Sequence, residues 1–169
     1  RADLDATDRA TLNSIIEDFI RNNPEVVRDT LIALAAREEA ERKQTGLAKV
    51  RDDQGDPVMG NANGTITLYE FSDYNCGYCK RVFEPIQQLV RDNPDVRLVI
   101  KEFPILSQSS MVAAKAAIAA EMQGKFGDYH IAMMTYRGQI TDAVVMRMAA
   151  QAGVDIEQLK SDMDSPKTI

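Results

Sequence analysis

The chain has 169 residues, of which 44% are hydrophobic and 27% are charged, enough for one globular domain and an extension. The formal net charge of −6 at pH 7 argues against a nucleic-acid partner, because the sequence has no basic stripe that could neutralise phosphates. No apolar run is long enough to span a bilayer. The polar opening from Arg1 to Asp8 predicts that no signal peptide is present. A processed secreted protein and a cytosolic protein would both begin in this way.

Two helices are predicted at the start of the chain. The first covers about residues 7–22 and is capped by Thr7 or Asp8; its apolar residues recur at three- and four-residue spacing: Leu12, Ile15, Ile16, Phe19 and Ile20. The second begins at Asn23-Pro24-Glu25, where a capping residue, a proline and an acid all suit a helix start. We expect it to end near Gly46, so that residues 1–46 form an N-terminal helical extension.

A change of composition marks the entry to the main body. Gly, Asp, Asn and Pro are frequent over residues 47–64, which predicts a linker. An apolar strand over 65–71 follows, then a helix over about 77–91 and a second strand over 96–100. Strand, helix and strand with a long return predict a right-handed βαβ unit with parallel strands.

Only helices are predicted after this unit. Four of them follow from Ser107 onward, over about 110–123 and 128–136 and then behind the caps Thr141 and Asp155.

The two cysteines of the chain lie at the junction of the first strand and its helix, in the sequence Cys76-Gly77-Tyr78-Cys79. A cysteine just ahead of a helix has free backbone N–H groups and the positive end of the helix dipole beside its sulfur, and both lower its pKa. Cys79 lies one turn further on, close enough to attack a mixed disulfide on Cys76. Gly77 and Tyr78 would set how well the N–H groups support the thiolate, and therefore the redox poise. This arrangement is the one that thiol–disulfide exchange requires.

Glu70 is a further candidate, six residues before Cys76 on an otherwise apolar strand. Two interpretations stay open. A partly buried carboxyl at this position could accept a proton from Cys79, whereas an outward-facing strand residue would have no role in the chemistry.

Three stretches of the chain resemble one known family. Tyr69 to Lys80 (Tyr-Glu-Phe-Ser-Asp-Tyr-Asn-Cys-Gly-Tyr-Cys-Lys) is similar to the active-site segment of the DsbA-like thioredoxin-fold proteins, specifically their Com1-like periplasmic branch. Val99 to Leu106 resembles the second strand of that family, and Met122 to Phe126 with His130 resembles its inserted helical subdomain. The likeness extends from about Pro57 to the end of the chain.

The resemblance implies an α/β, thioredoxin-like fold. Residues 65–106 would form the βαβ half that carries the CxxC motif, and residues 107–169 an inserted helical subdomain. The family completes its sheet with a C-terminal β-hairpin and a cis-proline that faces the cysteines. The chain ends before such a segment, and neither Pro104 nor Pro166 occupies the required position. We therefore expect a truncated piece, or a second chain that supplies the missing strands.

The resemblance also implies a function, that of a periplasmic or secreted disulfide oxidase or isomerase. Cys76 would be the exposed nucleophile and Cys79 the resolving thiol, with no cofactor apart from their own disulfide. The partners would be unfolded or misoxidised secreted proteins and a membrane redox partner that resets the cysteines. The pair Gly77-Tyr78 resembles the choice found in isomerases.

Other interpretations remain open at this point. Residues 7–45 could join copies of the chain into a homo-oligomer or fold back on their own domain, because two short helices cannot bury their apolar faces alone. An assembly module with a vestigial redox domain is one alternative function. A Cu(I) carrier that uses the thiolates of Cys76 and Cys79 is another.

The single histidine and the methionines have simpler explanations. With the two cysteines, His130 would leave a zinc site one ligand short, so an ordinary helix residue is expected and no metal site is predicted. Core packing accounts for the methionines of the helical segments, Met133, Met134, Met146 and Met148.

Overall fold

The computed structural model describes residues 5–166, which divide into two units between Asp52 and Asp53. Residues 1–4 and 167–169, which belong to the polar start and the expected truncation of the chain, lie outside the described residues.

The first unit consists of the helices α1 (Ala6–Asn22) and α2 (Pro24–Arg51). The N-cap of α1 is Asp5, whose carboxylate accepts hydrogen bonds from the backbone N–H groups of Thr7 and Asp8, so the predicted cap was wrong by two or three residues. The predicted helix end near Gly46 was also wrong. An exposed glycine costs a helix only about 1 kcal/mol, and the basic residues Lys49 and Arg51 favour the C-terminal end of the helix dipole.

The second unit begins with three strands and one helix: β1 (Val58–Gly60), β2 (Ile66–Ser72), α3 (Gly77–Asp92) and β3 (Val96–Glu102). Four helices follow: α4 (Gln108–Met122), α5 (Phe126–Thr135), α6 (Asp142–Gln151) and α7 (Ile156–Met163). Thr141 and Asp155 cap α6 and α7 as predicted.

The strands form one sheet in the order β1-β3-β2. β2 runs parallel to β3, which confirms the βαβ unit, and β2 is an edge strand of this sheet. β1 pairs antiparallel with β3, with Val58 opposite Val99. Residues 58–60 therefore belong to the sheet and are not linker. The sequence did not reveal β1, because a strand of three residues, preceded by a proline and ending in a glycine, is too short to show alternation.

The core lies between one face of the sheet and the helices. Leu98 and Ile100 of β3 are fully buried there. Helix α4 contributes a run of alanines, whose small side chains allow the neighbouring helices to approach closely. Met133, Met134 and Met148 are buried and Met146 packs against the same core, which confirms the packing role predicted for the methionines. Helices α4 to α7 share this core with the sheet, so the core does not mark a boundary between them. The division predicted at residues 106/107 stays a prediction.

The parallel pairing determines where the polar side chains of both strands lie. Glu70 pairs with Ile100 and Ser72 pairs with Glu102. Since in-register neighbours and residues two apart point to the same face of a sheet, Glu70 and Glu102 share the core face. Both lie at the end of the sheet where β2 leads to the cysteines.

Candidate active site

Cys76 is the N-cap residue of α3, where the spacing of the sequence predicts it. Its Sγ accepts a hydrogen bond from the backbone N–H of Cys79 at 3.3 Å. The pKa of Cys76 is lowered, chiefly by a hydrogen bond from the Cys79 thiol and also by the N–H groups of Cys79 and Tyr78. The thiolate therefore forms more readily at Cys76 than at an ordinary cysteine.

The pKa of Cys79 is shifted in the opposite direction. Cys79 is half-buried, and burial raises the pKa of its thiol; the nearby Cys76 sulfur and the charge of Glu70 raise it further. Both cysteines are free thiols in this structure. Cys76 therefore loses its proton more readily than an ordinary cysteine, and Cys79 loses its proton less readily.

The loop before Cys76 is held in place by Asp73. Its carboxylate accepts hydrogen bonds from the backbone N–H of Asn75 at 2.8 Å and from those of Ile105 and Leu106 at 3.0 Å each. This role of Asp73 was not predicted from the sequence, and the charge of Asp73 also raises the pKa of Cys76. The structure adds that Asp73 joins the cysteine loop to the segment after β3.

A polar cluster attaches the same loop to the first turn of α4. The Asn75 side-chain amide donates to the hydroxyls of Ser107 and Ser110 at 3.0 and 2.9 Å. Ser107 is also the N-cap of α4. The cysteine loop is therefore fixed from two directions.

The two cations that follow the cysteines have other partners. Lys80 donates to the Tyr136 carbonyl at 2.8 Å, and the guanidinium of Arg81 lies 4.1 Å from the centre of the Tyr78 ring. Neither cation is among the main groups that lower the pKa of Cys76. The amide and thiol donors are instead the groups that lower its pKa.

Glu70 lies close to the pair. Its Oε1 is shielded from solvent and has no hydrogen-bond partner among residues 5–166. Burial raises the pKa of Glu70, and its charge in turn raises the pKa of Cys79. The outward-facing interpretation is therefore wrong. The role of Glu70 as a proton acceptor stays a prediction.

Sequence reasoning missed three further polar residues next to this site. Tyr74 Oη donates to Glu102 Oε1 at 2.8 Å and lies 3.0 Å from Nδ1 of His130, which is fully buried. His130 is thus part of a buried network and not an ordinary helix residue. Glu102 could have been found from strand alternation, because Val96, Leu98 and Ile100 place it on the core face.

No metal site accompanies the cysteines in the described part of the chain, where no three His, Cys, Asp or Glu side chains come together to hold an ion. Cu(I) binding by Cys76 and Cys79 alone stays a prediction. Within residues 5–166, no helix combines the length and the apolar character that crossing a bilayer would need.

Apolar side chains are exposed around the cysteines. Tyr78, between the two cysteines, is 75% exposed, and Ile105 and Leu106, which are bonded to the cysteine loop through Asp73, are 67% and 54% exposed. An exposed apolar group next to a reactive centre is suited to binding apolar parts of another molecule.

A parallel βαβ unit with a pair of unequal cysteines at the start of α3 is the arrangement that thiol–disulfide exchange requires. A family model described as "DSBA-like thioredoxin domain" matches residues 67–169. The chain belongs to this family of DsbA-like thiol–disulfide oxidoreductases, and its thioredoxin-like fold is confirmed.

Solved structures support the assignment. A thioredoxin-like oxidoreductase from Silicibacter pomeroyi is 44% identical with a TM-score of 0.68, and the match covers 70% of this chain and 69% of that one. A periplasmic thioredoxin-like protein from Salmonella enterica serovar Typhimurium is 29% identical with a TM-score of 0.61, over 68% of this chain and 72% of that one.

The matched curated proteins are much longer. The Na(+)/H(+) antiporter NhaA 1 of Mycolicibacterium gilvum is 31% identical over 123 residues, which are 70% of this chain but 20% of that protein. The chain thus spans about a fifth of the length of the curated relatives it matches.

Proposed function

We propose that the chain exchanges thiols and disulfides in secreted or periplasmic proteins, through a mixed disulfide on Cys76 that Cys79 resolves. The observation that carries the proposal is the position of the two sulfurs: Cys76 Sγ, at the N-cap of α3, accepts the N–H of Cys79, and Cys79 is half-buried one turn further on. In keeping with these positions, the pKa is lowered at Cys76 and raised at Cys79. The thiol with the lower pKa is the better leaving group and is ionised to attack, whereas the protonated thiol waits until a mixed disulfide forms.

In the oxidising direction the reaction has two steps. A substrate thiolate attacks Sγ of Cys76, the Cys76–Cys79 bond breaks, and Cys79 leaves as a thiolate that takes up a proton. A second substrate thiolate then attacks the substrate sulfur of the mixed disulfide and displaces Cys76 as a thiolate. The substrate loses two electrons and the cysteine pair gains them.

In the isomerising direction the reduced protein acts first. The Cys76 thiolate attacks a substrate disulfide and is displaced when a different pair of substrate sulfurs joins, so no net electrons are transferred. If the substrate does not rearrange, Cys79 loses its proton and attacks Cys76, which releases the substrate reduced. We propose that Glu70 accepts that proton, because its partly buried carboxyl is near enough to Cys79 for its charge to raise the pKa of that thiol.

The expected partners follow from this chemistry and from the exposed groups. Unfolded or misoxidised proteins expose the apolar segments that Tyr78, Ile105 and Leu106 could contact. An oxidase also needs an oxidant, and we propose a membrane redox partner that restores the Cys76–Cys79 disulfide. A periplasmic location is supported by the description of the Salmonella relative.

We also infer that residues 7–45 join copies of the chain into a homo-oligomer. No residue of α1 or α2 is buried, although α1 has an apolar face, on which Ile15 is 60% and Phe19 54% exposed. A second copy offers an identical apolar face, so that both would be covered at once. Two active sites in one assembly would favour isomerisation, since both could contact one misoxidised substrate.

Light scattering tests the assembly. Replacing Ile16 and Phe19 with glutamate should convert an oligomer to a monomer, whereas Ser14→Glu on the polar side of α1 should leave the oligomer intact. A wild-type protein that is already monomeric would contradict the inference.

Refolding of scrambled ribonuclease tests the exchange activity. The wild type should restore ribonuclease activity, and Cys76→Ser should be inactive. Cys79→Ser is the matched control, because it retains the nucleophile and should accumulate a mixed disulfide with the substrate that can be isolated on a non-reducing gel. Equal and negligible rates for the wild type and Cys76→Ser would refute the proposal.

A further inference from the structure

A group of buried polar side chains lies directly behind the cysteine loop. Tyr74, two residues before Cys76, is buried, and its hydroxyl donates to Glu102 Oε1 at 2.8 Å. The same hydroxyl lies 3.0 Å from His130 Nδ1. A hydroxyl has one hydrogen, and Glu102 receives it. With the hydroxyl hydrogen directed to Glu102, Nδ1 of His130 is the donor to the Tyr74 oxygen.

This hydrogen-bonded network, Glu102–Tyr74–His130, ends at two atoms without partners. Glu102 Oε2 and His130 Nε2 are both shielded from solvent, and neither has a hydrogen-bond partner among residues 5–166. Burial raises the pKa of Glu102 to about 8 and lowers the pKa of His130 to about 4. The network is therefore uncharged at neutral pH, and Glu102 holds a proton.

The surroundings of the network are apolar on the helix side. The ring of His130 stacks on Phe126 at 5.1 Å between ring centres and meets the edge of Phe83 of α3 at 5.7 Å. Tyr129 of α5 is the other titratable group that faces Glu102 from the helices, and its hydroxyl donates to the Ala113 carbonyl of α4. No helix thus supplies Glu102 with a positive partner in these contacts.

The charged groups that act on Glu102 belong to the redox site. Glu70 of β2 and Asp73 of the cysteine loop both contribute to the raised pKa of Glu102. Glu70 in turn raises the pKa of Cys79, and Asp73 raises that of Cys76. Glu102 lies beside the same loop, because its register partner Ser72 directly precedes Asp73 and its hydrogen-bond donor Tyr74 lies two residues before Cys76. A negative charge on Glu102 therefore acts directly on a thiolate of that loop.

We propose that Glu102 is a positioning residue for the redox pair: its proton keeps one negative charge away from the cysteines, and loss of that proton makes the protein a weaker oxidant. The inference rests on the proposed exchange function. The reduced protein carries a thiolate on Cys76 and the oxidised protein does not, so an ionised Glu102 disfavours the reduced form. In the pH range where Glu102 is ionised only in the oxidised protein, reduction by a dithiol adds one proton to Glu102.

The glutathione equilibrium of the protein measures this coupling. Glu102→Gln keeps an oxygen for Tyr74 but cannot ionise, so its equilibrium constant should agree with that of the wild type near pH 6. Above about pH 9 the wild type should be less oxidising than Glu102→Gln by about tenfold, which corresponds to one pKa unit of coupling. Glu84→Gln, an exposed glutamate on α3, is the matched control and should follow the wild type throughout. Parallel curves for the wild type and Glu102→Gln would overturn the proposal.

A second measurement does not depend on exchange with glutathione. The side-chain carboxyl carbon of isotope-labelled Glu102 can be followed by NMR and assigned by its absence in Glu102→Gln. Its titration midpoint should lie lower in diamide-oxidised than in phosphine-reduced protein, and equal midpoints would overturn the proposal. A protein that shows this difference but does not exchange with glutathione would refute the proposed function and leave the coupling standing.

Discussion

Replacing Glu102 with glutamine should remove a loss of stability that the wild type undergoes between acid and neutral pH. Burial raises the pKa of the Glu102 carboxyl from 4.5 to about 8. Between these values the folded state binds one proton more than the unfolded state, so the free energy of unfolding falls as the pH rises. The variant has no carboxyl at this position and does not undergo this loss.

The magnitude follows from the width of that interval. Each pH unit within it costs about 1.4 kcal/mol, so from pH 4.5 to pH 7 the wild type should lose on the order of 3 kcal/mol that Glu102→Gln retains. The glutamine keeps the oxygen that accepts from Tyr74 but adds an unpartnered amide, which lowers the stability of the variant by a similar amount at every pH. The change with pH is therefore the quantity to compare.

Urea unfolding at both pH values gives the answer. Far-UV circular dichroism is the suitable probe, because the chain has no tryptophan. Glu84→Gln on the exposed side of α3 should differ from the wild type by no more than about 0.5 kcal/mol at either pH. A stability difference between the wild type and Glu102→Gln that is the same at pH 4.5 and pH 7 would refute the argument.

Three further predictions concern the cysteines and the backbone. The pH dependence of alkylation by iodoacetamide measures the pKa of each cysteine in a variant that lacks the other. The pKa of Cys76 in Cys79→Ser should lie below the value of about 8.5 for free cysteine, and the pKa of Cys79 in Cys76→Ser should lie above it. Equal pKa values would remove the asymmetry on which the proposed function rests. Asp73→Asn should lower the pKa of Cys76 further, since it removes a charge that raises it, and should destabilise the fold by about 1.5–3 kcal/mol in urea unfolding; an unchanged pKa would show that the charge of Asp73 does not reach the thiolate. Gly60→Ala should lower the Tm, because Gly60 has φ +77 and a Cβ there would lie 2.5 Å from Val90 Cγ1. Gly46→Ala in α2, which meets nothing within 4 Å, should be neutral or stabilising by up to about 1 kcal/mol, and equal losses at both glycines would contradict the steric explanation.

The sequence was sufficient to predict the elements that have strong periodicity or clear caps. The βαβ unit, the place of Cys76 ahead of α3 and the starts of α6 and α7 are all local properties, encoded within a few residues of one another. The sequence did not predict the end of α2 correctly. Charged residues that favour a helix continue beyond Gly46 and override the weak preference of glycine against a helix.

The polar network behind the cysteines could not be predicted in the same way. Glu102 lies 28 residues and His130 lies 56 residues after Tyr74 in the chain. No local sequence pattern relates the three residues. Strand alternation places Glu102 on the core face, but it does not show that a buried tyrosine donates a hydrogen bond to one carboxyl oxygen. Nor does it show that no residue of the described range 5–166 bonds the other oxygen. That information exists only after β2, β3 and α5 have packed.

The pairing register of β2 and β3 connects the fold with the chemistry. Ser72 is the last residue of β2 and lies opposite Glu102, so the acid is placed next to the loop that carries Asp73 and Cys76. A slip of one residue would turn Glu102 to the other face of the sheet and remove its charge from the cysteines. The buried residues Leu98 and Ile100 resist such a slip, because the same movement would turn them away from the core and bring the charged Arg97 and Lys101 onto the core face. The apolar half of β3 thus holds in position the one acid that, by the proposal above, makes the redox poise depend on pH.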